Sequence, residues 1–176
     1  MIRSAPQPGD IGLTTIEGPI GVLVRFGQWI NGTGFGMYEH AFVVLPGGRL
    51  IEAMPSGARI RPLADYDGKH VLYVAPAGLT YSHRVLIAET AAAYEGVGYS
   101  FADYLALALR RLRIPAPGLR RFIASTRHMI CSQLADQAYT DAGVQLFADG
   151  RWPGWVTPGD LFQLLAVQDR QENVDV

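Results

Sequence analysis

The chain has 176 residues, 49% of them hydrophobic and 18% charged, with a formal net charge of −1. That length suffices for a single domain with a proper core, and the composition excludes a disordered chain. The near-zero charge gives no nucleic-acid footprint, and the single cysteine, Cys131, excludes an intrachain disulfide and a cysteine-rich zinc site.

The N-terminal residues 1–8 hold no apolar core of signal-peptide length, and no apolar run reaches transmembrane length. A protein that is cytoplasmic as synthesised is expected, with phage-assisted release as the other route. Pro8-Gly9-Asp10 reads as a turn into a short strand, residues 11–16, with Asp10 structural. Residues 19–30 have helical apolar spacing, with Pro19 in the first turn. The glycine-rich loop 31–36 follows a helix and carries no lysine, so it is read as a loop beside a cleft and not as a phosphate cradle.

Residues 38–45 and 49–54 flank Pro46-Gly47-Gly48 and predict a β-hairpin. A three-residue loop sets Phe42 opposite Glu52, and His40 and Glu52 become diagonal neighbours on one face. Tyr38 is expected on that face too. A one-residue slip would separate the pair. Residues 58–63 predict an edge strand, given Pro62, and 70–75 another. These strands are expected to form one small antiparallel sheet.

The second half reads as helical. A helix over 81–94, with Ser82 as N-cap, is broken by Gly96-Val97-Gly98. The next spans 100–113. Its basic end, with Arg120-Arg121, is read as a solvated helix terminus or a contact for anionic lipid or cell-wall polymer. After Pro115-Ala116-Pro117-Gly118, a helix starts at Cys131, with Leu134, Ala135, Ala138, Tyr139 and Ala142 at helical spacing, and ends near Gly143. An aromatic loop at Trp152 and Trp155 precedes a last helix to about Leu165, capped by Thr157 with Asp160 in the acidic capping position.

A helix N-terminus offers unpaired N–H groups and partial positive charge, which favour a thiolate. Cys131 is therefore either a nucleophile or a packed-away structural cysteine. Nucleophilic chemistry needs a thiolate, an imidazole and a polar group to orient it, and Cys131, His40 and Glu52 supply these types. His128, three residues before Cys131, is an alternative base or substrate contact. His70 and His83 are read as a strand residue and an exposed helix residue. Four histidines without a short-spaced pair give no zinc pattern, so no metal or cofactor is expected.

In order, Pro8-Gly9-Asp10-Ile11, His40-Ala41-Phe42-Val43-Val44, Leu50-Ile51-Glu52-Ala53 and Ile130-Cys131-Ser132-Gln133-Leu134 resemble circularly permuted NlpC-type papain-like hydrolases. That group includes YiiX-like bacterial proteins and is related to lecithin:retinol acyltransferase. Gly98-Tyr99-Ser100-Phe101 and Pro158-Gly159-Asp160-Leu161 also match its pattern, while Gln133-Leu134-Ala135 is more polar than its usual glutamate–leucine–valine run.

The resemblance implies one permuted papain-like α+β domain over residues 1–176, with its core at about 8–165. A small antiparallel sheet would pack on helices, including the one that starts at Cys131. It implies Cys131 as nucleophile, His40 as base and Glu52 as orienting residue; beside them Tyr38, two residues before His40, Ser132, Tyr99 and His128 are read as oxyanion or substrate contacts. The implied activity is cleavage of an amide through a thioester, in a peptidoglycan-type peptide or an acyl amide. An acyltransferase or thioesterase acting on lipids and a non-catalytic lipid- or peptide-binding module remain open, as does the oligomeric state.

Overall fold

The computed structural model describes residues 2–3, 5–15, 37–99, 128–151 and 156–172. The expected helices over 19–30 and 100–113, the glycine-rich loop, the arginine run and the Trp152/Trp155 loop lie outside the described residues. Six strands form an antiparallel sheet: β1 (Ile2–Arg3), β2 (Ile11–Thr14), β3 (His40–Leu45), β4 (Arg49–Met54), β5 (Gly57–Pro62) and β6 (Val71–Val74). Their order is β1-β6-β2-β3-β4-β5. Three helices are described: α1 (Tyr81–Ala92), α2 (Cys131–Asp141) and α3 (Pro158–Glu172). Between α1 and α2, β7 (Gly98–Tyr99) and β8 (His128–Met129) pair in parallel. The architecture is α+β.

The hairpin has the register its loop requires. Phe42 faces Glu52 and Leu45 faces Arg49, with Gly47 and Gly48 at φ 73° and 66° in the turn. β3 is buried along its whole length because both faces of the sheet are covered. On one side Ile11, Leu13, Ala41, Val43 and Ile51 pack with Ile87 of α1 and Leu134, Ala138 and Tyr139 of α2. On the other, Phe42, Val44 and Leu50 lie beneath Leu63, Tyr66, Val71 and Tyr73. Gly12 makes this second layer possible. It pairs with Phe42, and a Cβ there would stand 2.2 Å from Phe42 Cζ. β5 is an edge strand, as Pro62 implies, and its start is tied to the chain before β7 by the Ala58 N–H, which donates to Val97 O at 2.7 Å.

Asp10 has the structural place expected of it. It is fully buried, accepts from Gln7 N–H at 2.8 Å and from Arg84 Nη1 of α1 at 2.7 Å. Tyr139 of α2 donates its hydroxyl to Gly9 O. The turn before β2 thus clasps both helices that cover the sheet.

Several boundaries differ from expectation, most by one or two residues. α1 is capped by Thr80 and not Ser82: Thr80 Oγ1 accepts His83 N–H at 3.2 Å, and His83 Nδ1 accepts Thr80 N–H at 3.4 Å. An imidazole thus takes the place usually held by a carboxylate. α3 runs on to Glu172, beyond the expected end, although its start is as predicted: Asp160 N–H donates to Thr157 Oγ1 at 3.1 Å and Asp160 Oδ2 accepts Thr157 N–H at 2.9 Å. His70 lies just before β6, exposed, with its ring stacked on Tyr38 at 6.2 Å. Among the described residues no helix is long and apolar enough to cross a membrane.

Candidate active site

α2 begins at Cys131 because Ile130 is extended (φ −92°, ψ 164°) and Leu134 N–H makes the first helical bond, to Ile130 O at 3.0 Å. Ile130 has no side-chain acceptor, so Gln133 caps from inside, its Oε1 accepting Ile130 N–H at 3.0 Å. The N–H groups of Cys131 and Ser132 have no intrahelical partner by construction. The β3–β4 ladder stops at Phe42 and Glu52, one residue short of Ala41. The N–H groups of Ala41 and Ser132 favour negative charge on the Cys131 sulfur.

His40, at the start of β3, is 2% exposed, and Glu52, in the middle of β4, is 1% exposed. Their diagonal placement brings His40 Nε2 to 2.9 Å from Glu52 Oε2. Cys131 acts on the same imidazole: its negative charge favours the imidazolium, as that of Glu52 does. The register expected from the hairpin loop therefore joins His40 and Glu52 by a hydrogen bond, and Cys131 is coupled electrostatically to this pair.

Glu52 is held by more than His40. Oε1 accepts from Arg59 Nε at 3.1 Å and Nη2 at 2.9 Å, and Oε2 accepts the Tyr66 hydroxyl at 2.7 Å. Arg61 stands 3.8 Å from the same Oε1 while also pairing with Asp65. Arg59 lies directly opposite Glu52 on β5, and Tyr66 sits on the 3-10 turn (Leu63–Tyr66) that follows β5, its ring 4.7 Å from that of Phe42. Sequence reasoning missed both residues. The two-residue turn Pro55-Ser56, which sets Met54 opposite Gly57 and hence Glu52 opposite Arg59, is the signal that locates the arginine.

The charges reinforce one another. Burial opposes an imidazolium at His40, but hydrogen bonds to Cys131 and Glu52 and their negative charge outweigh it and raise the group to about 9. Burial likewise opposes the Glu52 carboxylate, yet His40, Tyr66 and Arg59 bring it down to about 2. At Cys131 burial would raise the thiol, and His40 with the two backbone N–H groups lowers it. Each shift favours the charged form of its group, thiolate, imidazolium and carboxylate.

The remaining expected contacts fall elsewhere or are not described. Ser132 is fully buried and spends its hydroxyl on Val156 O at 2.6 Å, tying α2 to the segment before α3. The Tyr38 ring packs at 5.1 Å from Phe162 of α3, within the helix-side core cluster, whereas His40 faces Glu52. Tyr99 and His128 lie on β7 and β8, and their side chains are outside the described residues. Among the described residues no three histidine, cysteine or acidic groups are placed to hold a metal ion. Compared with protein-family models the chain matches none, and a comparison with curated proteins gives no match either.

Proposed function

We propose that the chain is a cysteine-nucleophile amidase or peptidase, built as a permuted papain-like domain of the NlpC type. The observation that carries this reading is the buried His40–Glu52 hydrogen bond, coupled electrostatically to Cys131 at the start of a helix. The thiolate attacks the carbonyl carbon of an amide. An S–C bond forms, and the carbonyl electron pair moves to oxygen, where the Cys131 N–H is the donor at hand. On collapse the C–N bond breaks and the His40 imidazolium gives its proton to the leaving nitrogen. His40, now neutral, takes a proton from water as the water attacks the thioester, and the acid product leaves with the thiolate restored. Glu52 holds the imidazole by its Nε2 throughout.

The substrate proposed is an amide of a peptidoglycan-type peptide or of an acyl amine. Transfer to an acceptor other than water uses the same residues and differs only in what opens the thioester. The test is incubation with peptidoglycan peptides and acyl amides, followed by intact-mass measurement of the protein. An acyl adduct on Cys131 and released amine, both absent in Cys131→Ser, support the reading. Release of amine by Cys131→Ser at the wild-type rate overturns it. One observation favours a second reading: Cys131 is only 2% exposed, which suits a non-catalytic binding module. Saturable binding of these compounds with no adduct and no turnover would select it.

A further inference from the structure

A second feature lies on a different side of α2. Asp136 and Thr140, one turn apart, share a helix face and line a cleft of about 360 Å³ with Gly143, Gln145, Phe147 and Arg151. Asp136 is only 4% exposed, yet its carboxyl has no hydrogen-bond partner among the described residues. This sets it apart from the buried acids Asp10 and Glu52. Asp10 is satisfied by Arg84 and a backbone N–H, and Glu52 by His40, Arg59 and Tyr66. A buried carboxyl left unpaired is costly, so its persistence at the wall of a cleft points to a partner that arrives from outside.

The nearest cation does not fill that place. Arg151 is spread over Asp149 (Nε to Oδ2, 2.8 Å), Asp160 (Nη1 to Oδ1, 3.0 Å) and the face of Phe147 at 4.3 Å, and it reaches Asp136 only through space. Burial raises the Asp136 carboxyl to about 6, against the pull of Arg151, so at neutral pH it is ionised. Three carboxylates then stand around one guanidinium, and the group that complements the cleft is a cation. A metal ion would need more anionic ligands than Asp136 alone supplies, and no three such groups converge among the described residues. The volume falls within the roughly 300–1,000 Å³ of small-molecule sites.

We propose that this cleft binds a primary alkylammonium group, with the Asp136 carboxylate as counter-ion and Thr140 Oγ1 and Gln145 Oε1 as neutral acceptors. The inference does not depend on the chemistry of Cys131. The ammonium belongs either to a free amine or to a lysine side chain of a peptide, and both present the same chemistry to Asp136.

The test is calorimetric titration of the full chain with n-butylammonium and, separately, with N-acetyl-lysine N-methylamide, at about pH 7.5 and about pH 5. Saturable binding is expected at the higher pH, weaker by about tenfold at the lower, where the carboxyl carries a proton. Asp136→Asn should weaken binding by at least about tenfold and abolish its pH dependence, while Thr140→Val should cost a few-fold. Tighter binding of one amine assigns the source, and equal binding shows that the ammonium alone is read. Should Asp136→Asn fail to fold, Thr140→Val and the wild-type pH dependence decide. No saturable binding of either amine, pH-independent affinity, or unchanged affinity in Asp136→Asn or, where that variant does not fold, in Thr140→Val overturns the proposal.

Discussion

Replacing Glu52 by Gln keeps the shape of the side chain and removes its charge. The fold holds this carboxyl at about 2 against an ordinary 4.5. At about 1.36 kcal/mol per pH unit, that difference is worth about 3 kcal/mol of folding stability. The sign follows from its direction: a lowered carboxyl stabilises above its ordinary value, and the contribution is lost as pH falls from 4.5 toward 2. His40 behaves oppositely, contributing fully below 6.5 and losing its contribution as pH rises through about 9. Glu52→Gln should therefore lose about 2–4 kcal/mol in urea unfolding near neutral pH and flatten the acid limb of the stability profile. Without the carboxylate, burial at His40 is opposed by Cys131 alone, and its titration should fall by at least about one unit, a tenfold loss of imidazolium. The assay is NMR titration of the His40 ring in both proteins. A His40 that titrates at the same pH in Glu52→Gln would show that the carboxylate does not support its charge.

Arg84→Ala removes the cation paired with the fully buried Asp10 carboxylate and should cost about 3–5 kcal/mol, while the folded protein keeps the wild-type alkylation rate at Cys131; a loss under about 1 kcal/mol in chemical unfolding would refute the clasp. Gly12→Ala places a methyl 2.2 Å from Phe42 Cζ and should destabilise by about 1–3 kcal/mol, with an acid-shifted alkylation profile if the Phe42–Tyr66 layer moves off Glu52; an unchanged melting temperature would show that the ring yields freely.

The site was legible where two simple periods intersect. The three-residue loop after Leu45 determines that Phe42 faces Glu52, and the two-residue repeat of a strand then carries His40 to the same side. The helical spacing from Leu134 to Ala142 places Cys131 at a helix start, and each of those apolar residues is buried. What escaped sequence reading depends on contacts that no single period encodes. Tyr66 meets Glu52 only because the chain makes a 3-10 turn beneath the sheet. Thr80 caps α1 through an imidazole, outside the usual capping pattern. The two-residue strand β1 has no periodicity to read; it exists through its pairing with Val74 and Tyr73. Asp136 looks like one more polar helix residue in sequence, because α2 is buried on more than its apolar face.

The central claim is that Cys131 and His40 share a charge, and the chain's single thiol makes it directly measurable. The experiment is the pH dependence of Cys131 alkylation by iodoacetamide in wild type and His40→Ala, repeated in mild denaturant to control for access to the sulfur. A wild-type thiol that titrates well below about 8.5, with a His40→Ala thiol that titrates higher because the imidazolium no longer offsets burial, is the predicted result. A thiol that titrates at the same pH in both proteins would contradict the account.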